Sequence, residues 1–288
     1  MPSFIEQESS ENYLETIYFL YKIKESVRSI DIAKEVNHSR ASVSRALSIL
    51  RERNLVVVDA NGVISLTDEG LKYAEHIASV HDMLSKFLKL TLHLDEEQIE
   101  NNACRMEHVL SKETVEAIEL YINKNNSNNL ENNNFTSHFP NQADLNESSE
   151  HYLETIYLLG GYDRLGYTEA SFVDIDEQYP IASQCPIKSI DVATKLELSR
   201  ASVSRAINNL KEKGFIFLNE KKLICLTKKG FVKAVNVYSR HVQLTKFLMN
   251  TINLRYEIAV KDACRIEHLI SDECFLGILN FNKKNLDN

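Results

Sequence analysis

Little in this chain would place it outside the cell or within a membrane. Its five cysteines (Cys104, Cys185, Cys225, Cys264 and Cys274) are odd in number and scattered over 288 residues. That argues against a disulfide scaffold and fits a reducing cytoplasm. The longest apolar runs are only a few residues, far short of the roughly 20 that cross a bilayer. The opening MPSFIEQESS has neither a basic region nor an apolar core, so no secretory signal is expected there. No glycine-rich phosphate loop or nucleophile motif occurs, and an enzyme is not expected. Positive charge is not in excess either. The net charge is −8 and the pI about 5.7, a balance that by itself speaks against nucleic-acid binding.

What the chain does have is repetition. ESSENYLETIY at 8–18 returns as ESSEHYLETIY at 147–157, with Asn12 replaced by His151. From Ser29 onward the offset becomes 160, and 29–70 matches 189–230 at 18 of 42 positions. The change of offset marks an insertion at about 161–187 in the second copy, whose Gly, Pro and acidic residues read as an exposed excursion. The asparagine-rich stretch 123–146 reads as a disordered linker, long enough as a coil to span roughly 25–30 Å.

Each copy carries the same order of expected elements. An amphipathic helix around Tyr13–Tyr21 comes first, then a short helix at Ser29–Val36. A third helix follows, Arg40–Arg53, with Ser39 as its N-cap and Val43, Ala46, Leu47 and Leu50 at helical spacing. LVVVD and VISLT flank Ala60-Asn61-Gly62 and predict a hairpin with an Asn-Gly turn. Three helices and a two-stranded wing make a winged helix-turn-helix. Long helices are expected at about 68–92 and 228–252. The fold class is therefore mainly α with small β wings, in two tandem copies. The expected divisions are 8–70, 71–122, linker 123–146, 147–230 and 231–283.

Charge is basic where a DNA reader would need it. Residues 28–53 carry six basic against three acidic side chains, and so do residues 188–213. The octapeptide SRASVSRA stands at 39–46 and again at 199–206. It would present Ser39, Arg40, Ser42 and Arg45, and Ser199, Arg200, Ser202 and Arg205, to a major groove. Arginine there can pair with guanine O6 and N7. Lys221 and Lys222 at the second wing are candidates for phosphate; the first wing has Asn61-Gly62 instead.

A second repeated phrase carries metal chemistry. ACRMEHVLS at 103–111 and ACRIEHLIS at 263–271 set Cys104, Glu107 and His108, and Cys264, Glu267 and His268, at i, i+3 and i+4. On a helix those side chains share a face. Thiolate, carboxylate and imidazole suit a borderline transition metal. His81 and His241 occupy equivalent positions on the preceding long helices, and Glu15 and Glu154 lie one turn beyond Asn12 and His151. The second copy thus offers six donors. The first offers five and the weaker amide of Asn12, so the second is expected to hold metal more tightly.

The E-x-Y-L-x-T-I-Y first helix, the winged helix and A-C-R-x-E-H together resemble the diphtheria-toxin-repressor family (DtxR/MntR) of metal-dependent transcriptional repressors. The resemblance covers nearly all of both copies. It implies binding of Fe(II) or Mn(II), followed by closure on the palindromic double-stranded DNA operators of metal-uptake genes. It assigns the metal to Glu15, His81, Cys104, Glu107 and His108, and to His151, Glu154, His241, Cys264, Glu267 and His268. Cysteine at 104 points to the iron branch and glutamate at 15 and 154 to the manganese branch. The softer thiol favours Fe(II), with Mn(II) second and other divalent transition metals as substitutes. Each copy is read as stopping after its metal-face helices, without the iron branch's SH3-like domain. The resemblance also implies that the family's homodimer has become an intramolecular pseudodimer of two helical metal-binding and dimerisation regions. Competing readings are a winged-helix module whose metal site is degenerate or purely structural, and a metal enzyme with Glu107 or Glu267 as base. Tight clustering of the donors opposes the enzyme.

Overall fold

The computed structural model describes residues 4–125, 147–164, 180–181 and 186–286. The chain divides into two units. One comprises Met1–Pro140 with Thr245–Asn288, the other Asn141–Leu244.

In the first unit, α1 (Phe4–Ile23), β1 (Val27–Arg28), α2 (Ser29–Glu35), α3 (Arg40–Glu52), β2 (Val56–Val58) and β3 (Val63–Leu66) build the winged helix. It is followed by α4 (Asp68–Thr91), α5 (Glu96–Met106) and α6 (Lys112–Asn125). Helix α3 starts where its sequence says it should, because the Ser39 hydroxyl accepts from the Ser42 N–H at 3.2 Å. Val43, Ala46, Leu47 and Leu50 are its buried stripe. They pack with Leu14 and Ile17 of α1 and Ile64 of β3 in one core. Helix α1 begins at Phe4, well before Tyr13. Helix α6 continues to Asn125, through the first residues of the expected linker; 126–146 lie outside the described residues.

The wing differs from expectation in two ways. Its sheet has a third strand: β1 pairs antiparallel with β3 (Val27↔Ile64), giving the order β1-β3-β2. Two residues carry too little alternation to be read as a strand. The turn is also longer than an Asn-Gly pair. Gly62 N–H donates to Asp59 O at 3.1 Å and Asp59 N–H to Val63 O at 2.9 Å, and only Gly62 takes a positive φ, +77°. The Asp59 carboxylate accepts from the N–H groups of Asn61 and Val63, each at 2.8 Å, which sets the turn.

The second unit repeats the plan with α7 (Glu147–Leu159), β4 (Pro180–Ile181), α8 (Ser189–Leu196), α9 (Arg200–Glu212), β5 (Ile216–Leu218) and β6 (Ile224–Thr227). It continues into α10 (Lys228–Ile252), within which the boundary between units falls. The insertion is not simply an exposed excursion. Tyr162 is buried, donates to Ile181 O at 3.0 Å and accepts from Leu226 N–H at 3.1 Å. Its ring stacks on Tyr157 at 6.0 Å. Inserted residues thus supply both a strand and a core side chain. Residues 165–179 and 182–185 lie outside the described residues.

Two further helices, α11 (Tyr256–Ile266) and α12 (Asp272–Leu286), belong to the first unit and pack on α6 and α5. The contacts recur with the copies exchanged. Arg105 Nη1 donates to Leu269 O at 3.0 Å, and Arg265 Nη1 to Val109 O at 3.2 Å. Phe87 meets Tyr121 and Phe247 meets Phe281, at 5.6 and 5.3 Å between centroids. Phe87 and Phe247, equivalent at offset 160, meet each other at 5.7 Å. Among the described residues no helix is long and apolar enough to cross a membrane.

The wing is locked to the helix that follows it, α4 or α10, through one glycine in each copy. Thr67 caps α4 by accepting from Gly70 N–H at 2.9 Å, and a Cβ on Gly70 would sit 1.9 Å from Leu55 O. Gly230 stands 1.8 Å from Phe215 O by the same measure. Backbone cannot give way cheaply, so Gly70→Ala and Gly230→Ala should each destabilise by about 2–3 kcal/mol or more. Gly62→Ala meets nothing within 4 Å and bears only its positive φ, about 1 kcal/mol. Urea unfolding of the three variants checks the order; a Gly62 variant weaker than the other two would contradict it.

Candidate metal centre and nucleic-acid interface

In the first copy α1 supplies Asn12 and Glu15, α4 supplies His81, and the end of α5 supplies Cys104, Glu107 and His108. The Cys-x-x-Glu-His phrase does not lie on one continuous helix. Helix α5 ends at Met106, and Glu107 is its C-cap, still right-handed at φ −58°, ψ −31°. Glu107 N–H bonds Ala103 O at 3.0 Å, so Glu107 stays one turn beyond Cys104; His108 sits in the turn that follows. The second copy ends α11 the same way, with Glu267 as C-cap at φ −59°.

Donor atoms of Glu15, Glu107 and His108 converge to within 4.8 Å of one another. His108 Nε2 lies 3.0 Å from Glu107 Oε1 without hydrogen-bond alignment. Asn12 Oδ1, Glu15 Oε1, Glu107 Oε1 and His108 Nε2 are all buried with no hydrogen-bond partner among the described residues. Buried polar atoms are normally satisfied. Four such atoms, two of them carboxylate oxygens, are what a cation's coordination sphere would use, and this oxygen and nitrogen set fits a divalent transition metal.

Electrostatics agree. Burial, and then Glu107, push the Glu15 carboxyl up to about 8. Burial would disfavour the His81 and His108 cations, but neighbouring carboxylates outweigh it. Glu100 and Glu107 raise His81 to about 10, and Glu107 and Glu11 raise His108 to about 10. Burial and then Glu107 push the Cys104 thiol above its ordinary range. Glu107 itself is lowered, because His108 and His81 overcome its burial.

Two expected ligands stand slightly apart. His81 uses both ring nitrogens on carboxylates, Nδ1 to Glu107 Oε2 at 2.6 Å and Nε2 to Glu100 Oε2 at 2.9 Å. It therefore orients Glu107 from behind. Cys104 is half-buried and outside the converging set. Glu11 and Glu100 were not picked out from sequence. Glu11 accepts from Tyr73 Oη and pairs with His108 Nδ1 at 3.2 Å. Its identity with Glu150 in the repeated phrase was the available signal. Glu100 had none, since its equivalent is Val260.

The second copy's donors divide between the units. In the second unit Glu154 lies 3.9 Å from His151 Nδ1 and 3.9 Å from His241 Nδ1. In the first unit His268 Nε2 is 3.1 Å from Glu267 Oε1, with Cys264 one turn before on α11.

The helix-turn-helix residues lie as the caps dictate. Ser39, Arg40, Ser42 and Arg45 are exposed at the start of α3. Ser199, Arg200 and Arg205 are exposed on α9 and Ser202 is half-buried. Lys221 and Lys222 are exposed at the second wing tip, where Lys222 takes φ +58°.

The profile described as "Iron dependent repressor, metal binding and dimerisation domain" matches residues 67–133 and 227–285. The profile described as "Iron dependent repressor, N-terminal DNA binding domain" matches 7–62. A relative from Methanocaldococcus jannaschii, the uncharacterized HTH-type transcriptional regulator MJ0568, is 30% identical over 118 residues, 41% of this chain and 94% of that protein. Among solved structures, the manganese regulator SloR is 28% identical with a TM-score of 0.37, over 40% of this chain; the match spans 53% of the SloR chain.

The shifted groups give the metal-free protein a definite pH response. His81 and His108 rise from an ordinary 6.5 to about 10. Their stabilisation is complete below 6.5 and lost as the pH rises through about 10. Glu15, raised from 4.5 to about 8, has the same sign over its own window. All three act together between pH 6.5 and 8, so the chelated protein should melt progressively lower across that range, and Glu15→Gln should flatten the slope. Calorimetry at three pH values measures it; a flat or rising wild-type profile would refute it.

Proposed function

The chain belongs to the iron-dependent repressor family, and from that premise we propose that it represses metal-homeostasis genes by binding a double-stranded DNA operator when loaded with Fe(II), with Mn(II) as second choice. The family is one of transcriptional regulators, and no enzymatic role is assigned. One observation carries the reading: the buried donors that converge without hydrogen-bond partners come from α1, inside the winged helix, and from the end of α5, outside it. A cation shared by Glu15, Glu107 and His108, with Asn12 and Cys104 beside them, would tie the DNA reader to the helices that follow. The thiol favours iron; the carboxylates and amide admit manganese.

By the equivalence of the copies, His151, Glu154 and His241 would hold a second ion with Cys264, Glu267 and His268. The exchanged contacts between α5–α6 and α11–α12 support an intramolecular pseudodimer, since a two-fold interface repeats each contact with the partners exchanged. In that arrangement Arg40, Arg45, Arg200 and Arg205 read base edges, and Ser39, Ser42, Ser199, Ser202, Lys221 and Lys222 hold phosphates. Two recognition helices must be about 34 Å apart to enter successive major grooves. Without metal the winged helices sample other orientations, and affinity falls by the competent fraction.

Anaerobic mobility shifts on operator DNA test this. Fe(II) should tighten binding at least tenfold, EDTA should reverse it, and Glu15→Ala or Glu107→Ala should abolish the gain. Binding indifferent to metal would sink the mechanism. Arg40→Ala and Arg200→Ala should each weaken the metal-loaded complex about tenfold, from 1–3 kcal/mol per bidentate pair, while leaving metal uptake unchanged. His151→Asn should lower the tighter of two metal affinities towards the weaker, read by anaerobic metal titration; two unchanged affinities would remove the asymmetry between copies.

A further inference from the structure

One pair of equivalent residues in the first unit breaks the symmetry of its surroundings. Asn102 and Asp262 are separated by the offset of 160, and both are buried. Each faces the turn before the last helix of the other copy. Asn102 uses both ends of its amide there. Its Oδ1 accepts from Ser271 N–H at 2.8 Å, and its Nδ2 donates to Ser271 Oγ at 3.3 Å and to Gln98 O at 2.6 Å. Asp262 instead gathers three donors on one oxygen. Oδ2 accepts from Ser111 N–H at 3.1 Å, Ser111 Oγ at 2.5 Å and Thr114 Oγ1 at 2.5 Å. Its Oδ1 takes Arg265 Nη1 at 3.2 Å, the same nitrogen that reaches Val109 O.

The third donor differs between copies. Thr114 is matched in the second copy by Cys274, which is itself buried. A thiol is a weak donor and a hydroxyl a strong one. A buried carboxylate needs its full set of donors, because the charge cannot be moved back to water. The amide at 102 carries no charge and asks nothing of the residue at 274.

We propose that Asp262 is a pairing-specificity residue: the buried face formed by α11 and the start of α12 accepts the first copy's Ser111–Thr114 turn and discriminates against a second copy of itself. Two second-copy faces brought together would each set Asp262 against Ser271 and Cys274, with two strong donors in place of three, twice over. Unlike copies therefore pair. Because the two unlike copies share one chain, effective concentration favours the partner already attached. The inference rests on the pseudodimer in the proposed function and adds the rule that selects its partners.

The rule is tested in the full chain. Thr114→Cys recreates the disfavoured junction without moving a charge. It should lower Tm by about 3–8 °C, the size expected for one lost bond to a charged group in a protein of this length. With Asp262→Asn in the same chain, the two losses should be strongly non-additive, since the amide no longer needs the third donor. The opposite junction should obey the same rule: Asn102→Asp destabilises, and adding Cys274→Thr recovers at least half of the loss. Additive losses, or no recovery by Cys274→Thr, would overturn the assignment. Should Asn102→Asp fail to fold, the Thr114 and Asp262 cycle decides alone. Partner choice is read by cross-linking mass spectrometry on mixed ¹⁴N and ¹⁵N chains. Links joining two second copies should be rare in wild type and at least threefold more frequent in Asp262→Asn; equal frequencies would overturn the rule. Wild-type chains joined mainly through like copies would remove the pseudodimer itself. The stability cycle would still report whether Asp262 requires Thr114.

Discussion

Two carboxylates buried side by side, Glu15 on α1 and Glu107 at the end of α5, set the terms for the rest of the first copy. Neither can be charged there without compensation. In the metal-free chain the compensation is a proton held on Glu15 and two imidazolium rings, His81 and His108, against Glu107. On the proposed function a divalent cation would do the same work with fewer protons. It would also join an element of the winged helix to one outside it, so that neutralising the cluster and fixing the winged helix would be one event. A metal held within one helix would change nothing about where α3 points.

The same cluster reaches α3 by hydrogen bonds. His108 leans on Glu11, Glu11 accepts from Tyr73, and the Arg53 guanidinium lies 5.6 Å over the Tyr73 ring. Arg53 is the C-cap of α3 and also donates to Ser10 Oγ at 3.2 Å. The histidine and the end of α3 are thus joined through packed, hydrogen-bonded groups. The second copy keeps the acid and changes its partner. Glu150 pairs with Lys233, which stands where the first copy has Tyr73. An ammonium pairs strongly with the acid and lacks the ring on which an arginine stacks.

Most of the fold was legible because the duplication wrote it twice. Ser39 and Ser199 announce their helices, and the long apolar periods place α4 and α10 within a residue or two. What escaped was fixed by tertiary context. Strand β1 is two residues long and exists because β3 offers an edge. The break after Met106 has no glycine or proline to mark it, since Glu107 keeps helical angles while the chain turns away. Tyr162 is one aromatic residue within a polar insertion, and only the hole between Ile181, Leu226 and Tyr157 makes it core. At the centre, the repeated phrases identified Glu15, Glu107 and His108, whereas the support that Glu100 gives His81 occurs in one copy alone and leaves no repeated signal.

Fusion of two copies in one chain changes what substitutions can achieve. In a homodimer every change is made on both sides of the axis at once, so a residue must suit itself and its partner's environment together. In a tandem chain the two sides mutate separately. Position 102 can hold a neutral amide while position 262 holds a carboxylate, with Thr114 facing the acid and Cys274 facing the amide. The same freedom separates Asn12 from His151, Tyr73 from Lys233, and the Asn61-Gly62 wing from Lys221-Lys222. These differences fall at the candidate donors, at the groups beside the end of α3 and at the wing tip, while SRASVSRA is kept whole. An interface that pairs only unlike copies would keep such divergence useful: each molecule would then present one half of each kind, and two helices that begin on the same SRASVSRA phrase would be carried by halves that differ in candidate metal donors and wing residues.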